Sequence, residues 1–387
     1  MGFETFSRMK KSNPINPFMV TGYYSPAYFC DRREETDRII SALLNGRNLT
    51  LISPRRMGKT GLIQHVFEVD RAKETFKGYY IDLYPTKTLR DLTIKLGRAV
   101  LGSLDSAPAK VLNQTLAMFK SLRPVLSFDP TNGIPQIEVT LADDSRPKES
   151  LVEIFEYLSR HAEQCVIAID EFQQVLSYPE QNVEALFRSY SQQYSNVRFI
   201  FSGSQRHVME GMFRSPARPF YQSTELMFLD RISLAEYVTF AVEKFAEAEK
   251  VVPFELVERL YKMVSGHTWY VQYLLNRLFS LPIASYTLQD ADAMVNQVLK
   301  ENEPFYEGYT KLITTRQWNL IEAIAQEGEV QKPNSQEFLS KYNLGAASTV
   351  QSALLALVEK ELVLEEGGVY SIYDRFLGMW LRTWGKD

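Results

Sequence analysis

The octapeptide Ser53-Pro54-Arg55-Arg56-Met57-Gly58-Lys59-Thr60 follows a short apolar run, Leu49 to Ile52, and precedes a stretch with helical periodicity, Gly61 to Val69. Strand, tight loop and helix in that order constrain the fold more than any other segment. The backbone N–H groups of such a loop and the free N-terminus of the helix converge on one point, which makes a site for phosphate. Gly58-Lys59-Thr60 completes the pattern G-x-x-x-x-G-K-[ST]. In that pattern the loop cradles a nucleoside triphosphate, the lysine neutralises the phosphates and the hydroxyl holds Mg²⁺. Lys59 and Thr60 are expected to take those two roles, within an expected phosphate-contacting set of Ser53, Pro54, Arg55, Arg56, Met57, Gly58, Lys59, Thr60 and Gly61. Ser53 stands where the pattern opens with glycine. That glycine serves backbone geometry rather than phosphate chemistry, so binding is expected to survive.

A second element stands further along, Val166-Ile167-Ala168-Ile169-Asp170-Glu171. Four apolar residues form a buried strand whose end presents two adjacent carboxylates. Asp170 is expected to hold Mg²⁺ through water and Glu171 to orient and activate an attacking water. Hydrolysis is therefore expected, and it is expected to be slow without a partner if an arginine must reach the γ-phosphate. Arg206, Arg214 and Arg218 are the candidates after the next strand, and each reads equally well as a solvated or salt-bridged charge.

Apolar residues make up 45% of the 387-residue chain and aromatic residues 12%, enough to fill two or three cores. No run of about 18 apolar residues is present, so a membrane span is not expected. The polar N-terminus lacks an apolar signal core, and a cytoplasmic location is expected. Cys30 and Cys165 are the only cysteines; they are far apart and suit neither a zinc site nor a disulfide scaffold. His65, His161, His207 and His267 have no spacing suited to a metal or a triad. The net charge of −4 excludes a wholly basic, nucleic-acid-binding surface.

Strand and helix patterns alternate through the first part of the chain. Tyr79 to Tyr84 reads as a strand, Thr88 to Leu104 as a helix, Glu149 to Gln164 as a helix feeding the carboxylate strand, and Asn182 to Tyr194 as another helix. Val197 to Phe201 and Glu225 to Leu229 read as strands. Between Ala107 and Pro147 the rhythm breaks, and Pro124 to Thr140 alternates around Asn132-Gly133 as an inserted hairpin would. This is an α/β pattern: a mainly parallel sheet with helices on both faces and ligands at the carboxyl ends of strands. From Ser233 helical periods take over through Tyr306. The last stretch gives three helices, Thr314 to Gln326, Ser335 to Tyr342 and Ala347 to Lys360, then a hairpin around Gly367-Gly368, which spells a winged helix. The expected division is an extension over 1–28, a core over 29–230, a helical lid over 231–306 and a winged helix over 307–387.

These residues resemble the archaeal-type ATPases of the AAA+/STAND division of P-loop NTPases, which are also widespread in bacteria. The likeness begins with Phe29-Cys30-Asp31-Arg32-Arg33-Glu34-Glu35, similar to the family's F-x-G-R-x-x-E lead-in, with Asp31 in place of glycine. It continues through Pro54-Arg55-Arg56-Met57-Gly58-Lys59-Thr60 and the Asp170-Glu171 pair. Ser202-Gly203-Ser204 looks like the sensor region, and Ser265-Gly266-His267-Thr268 resembles the lid motif G-G-x-P, with Ser265 and Thr268 replacing glycine and proline. Tyr370 to Phe376 with Trp380 resembles the family's ending. The resemblance implies ATP as nucleotide, a purine contact near Arg32 and a γ-phosphate sensor at Ser202.

A winged helix invites a DNA-binding role, which its charge disfavours. From Thr310 to the end of the chain there are eight basic residues against ten acidic. The recognition helix, Ala347 to Lys360, has no Lys or Arg until its last residue, and the wing opens with Glu365-Glu366. Phosphate-driven affinity needs several cations on one face. The expected partner is a protein client, or the chain's own ATPase core or another copy. The reading is thus a nucleotide-driven conformational switch with Mg²⁺-dependent ATP hydrolysis. A DNA-binding regulator and a non-hydrolysing interaction scaffold remain as alternatives, and a nucleotide kinase is disfavoured because Asp170-Glu171 suits water activation.

Overall fold

The computed structural model describes residues 14–71, 73–102, 118–128, 135–160 and 163–383. The Asn132-Gly133 turn and His161 lie outside them. Two compact units are present: residues 19–232, and residues 233–387 together with the N-terminal residues to Phe18.

In the first unit, helix α1 (Arg33–Leu44) leads into strand β1 (Leu49–Ile52), the loop 53–58 and helix α2 (Lys59–Arg71). Strand β2 (Phe76–Asp82), helix α3 (Leu89–Gly102), the hairpin β3 (Leu122–Phe128) and β4 (Pro135–Leu141), and helix α4 (Pro147–Ser159) follow. Strand β5 (Gln164–Asp170), helix α5 (Val183–Gln193), strand β6 (Val197–Gly203), helix α6 (Arg206–Arg214) and strand β7 (Glu225–Phe228) complete it. The sheet order is β2-β5-β6-β1-β7, and every pairing is parallel. Strands β3 and β4 pair with each other, antiparallel and apart from that sheet.

Both faces of the sheet are covered, which is why its central strands β1, β5 and β6 read as apolar runs rather than alternating ones, whereas the edge strand β2 alternates. Period-two alternation still decides which core each residue joins. Ile167, Ile169, Phe199 and Phe201 enter one cluster with residues of α3, α4 and α5, whereas Leu49, Leu51, Val166, Ala168 and Ile200 enter another with α1 and α2. In the first cluster the rings of Phe172, Phe201, Phe213 and Phe220 stand 4.5 to 6.1 Å apart. All four are buried, each burial being worth about 1.5–3 kcal/mol.

The second unit begins with helices α7 (Leu234–Ala246), α8 (Phe254–Met263), α9 (Thr268–Phe279) and α10 (Leu288–Tyr309). The N-terminal segment is fastened here. Asn276 Nδ2 donates to Phe18 O at 2.7 Å, and the buried Phe18 ring packs on Phe240, Phe245 and Phe279. Helix α11 (Thr315–Glu327), strand β8 (Glu329–Val330), helices α12 (Gln336–Lys341) and α13 (Ala347–Glu359), strands β9 (Val363–Glu366) and β10 (Val369–Ile372), and helix α14 (Arg375–Thr383) form the winged helix. Its sheet has three strands, β8-β10-β9, where the sequence reading has a hairpin alone. Two residues are too short a run to show alternation, so β8 left no pattern to read.

Candidate functional site

The loop after β1 and the ends of β5 and β6 meet at the carboxyl edge of the sheet, and Ser53 N donates to Gly203 O across that edge at 3.4 Å. Within the loop, left-handed backbone falls at Arg56 (φ 66°) and Gly58 (φ 92°), not at Ser53. The serine at the opening position therefore carries no left-handed strain, and its hydroxyl donates to Pro54 O at 3.1 Å. The equivalent cost, roughly 1–2 kcal/mol for a side chain in that region, sits at Arg56. Arg56 is exposed, Arg55 half-buried with its guanidinium 5.5 Å from the Tyr84 ring centre, and Met57 buried.

Lys59 opens α2 and is 5% exposed. Its ammonium donates to Ser53 O at 2.9 Å and Pro54 O at 3.1 Å. Burial pulls its pKa below the usual lysine value, while the carboxylates of Glu171 and Asp170 favour its charged form. Such a cation, desolvated and held by two neutral carbonyls, is prepared for an anion in a way that a surface lysine is not. Thr60 Oγ1 donates to Asp170 Oδ2 at 2.6 Å, and Tyr80 Oη from β2 donates to the same oxygen at 3.0 Å. Asp170 Oδ1 accepts from Glu171 N at 3.0 Å. A hydroxyl and a carboxylate that meet across 110 residues supply hard oxygen donors, the set that Mg²⁺ takes.

Glu171 leaves β5 in the left-handed region, φ 53°. Its Oε2 accepts from Ser204 Oγ at 2.6 Å and from Gln173 Nε2. Ser202 is fully buried, and its hydroxyl has no hydrogen-bond partner among the described residues. The structure thus brings Lys59, Thr60, Asp170 and Glu171 together and adds Tyr80, Gln173 and Ser204, to which sequence reasoning gave no role. Tyr80 and Ser204 each stood within a segment already read, but no spacing rule marks a side chain that bonds across neighbouring strands. Asp82, paired with Asp170 in register, has its carboxyl raised by burial despite a hydrogen bond from Tyr84 N.

Residues of the lead-in and of the arginine set are occupied by the protein itself. Arg32 is 3% exposed, with its guanidinium on Glu35 Oε1 and Asp230 O, each at 2.6 Å. Beside it Phe29 stacks on His65 at 4.3 Å and touches the first turn of α2, where a Cβ at Gly61 would come within 3.3 Å of Phe29. Arg206 lies 3.3 Å and Arg214 3.8 Å from Glu210, and Arg218 lies 2.5 Å from the buried Glu184. Asp31 and Ser265, which stand where the related motifs have glycine, both keep positive φ, 53° and 52°. Thr268, at the proline position of the lid motif, is the first residue of α9, where proline is favoured.

A parallel sheet with a phosphate loop after its first strand, and a lysine, hydroxyl and carboxylates gathered at one edge, defines a P-loop nucleotide-binding protein. The family follows from the sequence: residues 29–274 match the model described as the ATPase domain predominantly from Archaea, and residues 304–383 match a probable winged helix domain. The chain belongs to that ATPase family. Among solved structures, a Walker-type ATPase of Pyrococcus abyssi superposes with a TM-score of 0.66 at 18% identity, covering 95% of this chain and 99% of its own. The ORC2 protein of Aeropyrum pernix, as ADPNP-ADP complexes, gives 0.54 at 15% identity over 93% and 94%. The ORC1 protein of the same organism, in complex with DNA, gives 0.51 at 11% over 96% and 97%. No curated protein matches the chain. Among the described residues no helix is long and apolar enough to cross a membrane.

Proposed function

We propose that the chain is a Mg²⁺-dependent ATPase of the AAA+/STAND type whose nucleotide state sets its conformation and so its hold on a protein client. The hydrogen bond of Thr60 to Asp170 carries this reading, since it joins the loop to the carboxylate strand where a phosphate-bound metal would be held. Among the described residues no three His, Cys, Asp or Glu side chains form a metal cluster. An ion held by Thr60 and Asp170 would therefore draw its other ligands from phosphate and water, the usual Mg²⁺ arrangement. Bound there, it would neutralise charge on the β- and γ-phosphates.

Lys59 leaves the carbonyls of Ser53 and Pro54 for the phosphates, and the backbone amides of residues 54–59 surround them. Glu171 takes a proton from water as the water oxygen bonds to the γ-phosphorus; the bond to the bridging oxygen breaks and ADP leaves. Ser202 offers a buried hydroxyl without a partner among the described residues, which suits a γ-phosphate sensor. The purine is assigned to the lead-in near Arg32. Because the guanidinium of Arg32 is held by Glu35 and Asp230, its role there is to fix the segment.

The winged helix is assigned to protein rather than DNA. The exposed positions of α13 include Ser348, Ser352, Leu355 and Glu359, none of them cationic. The solved ORC1 complex contains DNA, but an 11% identical neighbour does not bring that ligand with it.

Phosphate release from ATP tests the reading, with wild type compared with Glu171→Gln and Lys59→Ala, in magnesium and in chelator. Glu171→Gln should lose release by about 10²–10⁴-fold while retaining nucleotide. Lys59→Ala should lose binding, and chelator should abolish wild-type turnover. Wild-type release no faster than that of either variant would leave a nucleotide-binding scaffold instead.

A further inference from the structure

Glu171 is the least ordinary residue of the site. Its backbone is left-handed, and its carboxylate is not left to find its own rotamer. Two donors meet the same oxygen, Oε2. Ser204 Oγ, just past β6 and 9% exposed, donates at 2.6 Å, and Gln173 Nε2 donates from the turn that follows β5. Gln173 Nε2 also stands 3.5 Å from Ser204 Oγ, so the three side chains close on one another. The room for this arrangement is provided by Gly203. A Cβ at that position would lie 2.5 Å from Gln173 Oε1 and 2.5 Å from Met209 Sδ. Gly203 is not among the positive-φ residues, so space rather than backbone freedom is what a glycine supplies there.

We infer that Ser204 and Gln173 are positioning residues that fix the carboxylate of Glu171 through Oε2, leaving Oε1 to receive the proton of the attacking water. The inference rests on Glu171 being the base. Hydrogen bonds to an ionised carboxylate are stronger than neutral ones, and here they come from two elements at once. A glutamate held in this way enters the reaction with its geometry already set, where a free side chain would sample several rotamers and reach water in few of them.

The experiment is single-turnover phosphate release with protein in excess, together with nucleotide affinity, for Ser204→Ala, Gln173→Ala and Ser204→Thr, each also in a Glu171→Gln background. Either alanine variant should slow release by about 10-fold or more, approaching the roughly 10²-fold cost of a misplaced group, with affinity and melting temperature changed little. Ser204→Thr, which keeps the hydroxyl, should restore the rate. In the Glu171→Gln background Ser204→Ala and Gln173→Ala should cause no further loss. Unchanged rates in the alanine variants, or an equal additional loss in the Glu171→Gln background, overturn the positioning role while the base assignment stands. Wild-type rates in Glu171→Gln, or no release by wild type, instead remove the base and the pair with it.

Discussion

The phosphate-loop edge of the sheet and the exposed face of α13 in the winged helix are built on opposite principles. At the sheet edge polar groups converge: Thr60, Tyr80 and Asp170 share one carboxylate oxygen, and Gln173, Ser204 and Glu171 share another. On α13, Leu354 and Leu357 are buried while Ser352 and Leu355 face solvent, with no cation among the residues that a DNA reader would present. The first surface dictates its ligand through residue type at fixed backbone positions. The second dictates only a fold, because a hydrophobic stripe holds the helix in place whatever its outer face recognises.

The strongest way to break this comparison is to delete one hydroxyl from each surface. Thr60→Ala removes the partner of Asp170 across the loop, and phosphate release should fall by at least the roughly 10–100-fold that loss of an outer-shell partner costs at metal sites. Ser352→Ala on α13 should leave it unchanged. Equal activity in the two variants would mean that the convergence at the sheet edge is structural only.

A smaller effect is expected from charge. Wild-type protein titrated with duplex DNA should show no more than non-specific affinity, about 10⁻⁴–10⁻⁶ M at physiological salt, with a shallow salt dependence. Installing Ser348→Arg and Ser352→Arg together should steepen the slope of log K against log salt by about 2, one unit for each new phosphate contact. A steep slope in the wild-type protein would show that cations elsewhere in the chain serve DNA and would remove the contrast between the surfaces.

The same contrast explains what was legible in the sequence. The loop, Asp170 and Glu171 could be read because their chemistry requires given residue types beside a strand end. Strands β1, β5 and β6 could be read as apolar runs; β2, read from its β-rich residues, begins at Phe76, three residues before the expected Tyr79, since Phe76 and Lys77 pair with Gln164 and Cys165 in a register no local pattern reveals. Helix α1 went unread; its charged first turn, Arg33-Glu34-Glu35, hides the buried Ile39, Ile40 and Leu43. Tyr80 and Ser204 were illegible for another reason: their partners, Asp170 and Glu171, lie on or beside a neighbouring strand, and strand order is a tertiary fact. Gln173 stands only two residues from Glu171, but their contact depends on the turn after β5, which no motif marks.

The smallest expected effect concerns the aromatic group beside the loop helix. His65 on α2 stacks on Phe29 at 4.3 Å, and its Nδ1 lies 3.1 Å from Tyr23 Oη, with the Glu68–Arg71 ion pair on the same helix. Burial holds its pKa below the ordinary 6.5. The unfolded chain therefore binds the proton more tightly than the folded one. The stability involved is present above pH about 6.5 and is lost as pH falls through the lower folded pKa. Melting temperature measured between pH 7.5 and 5 should drop more for wild type than for His65→Phe, which keeps a ring for Phe29 and cannot be protonated. Identical slopes would place the acid sensitivity elsewhere. They would also make the Tyr23, Phe29 and His65 group a packing feature without electrostatic consequence, closer in kind to the interior of α13 than to the carboxylates at the sheet edge.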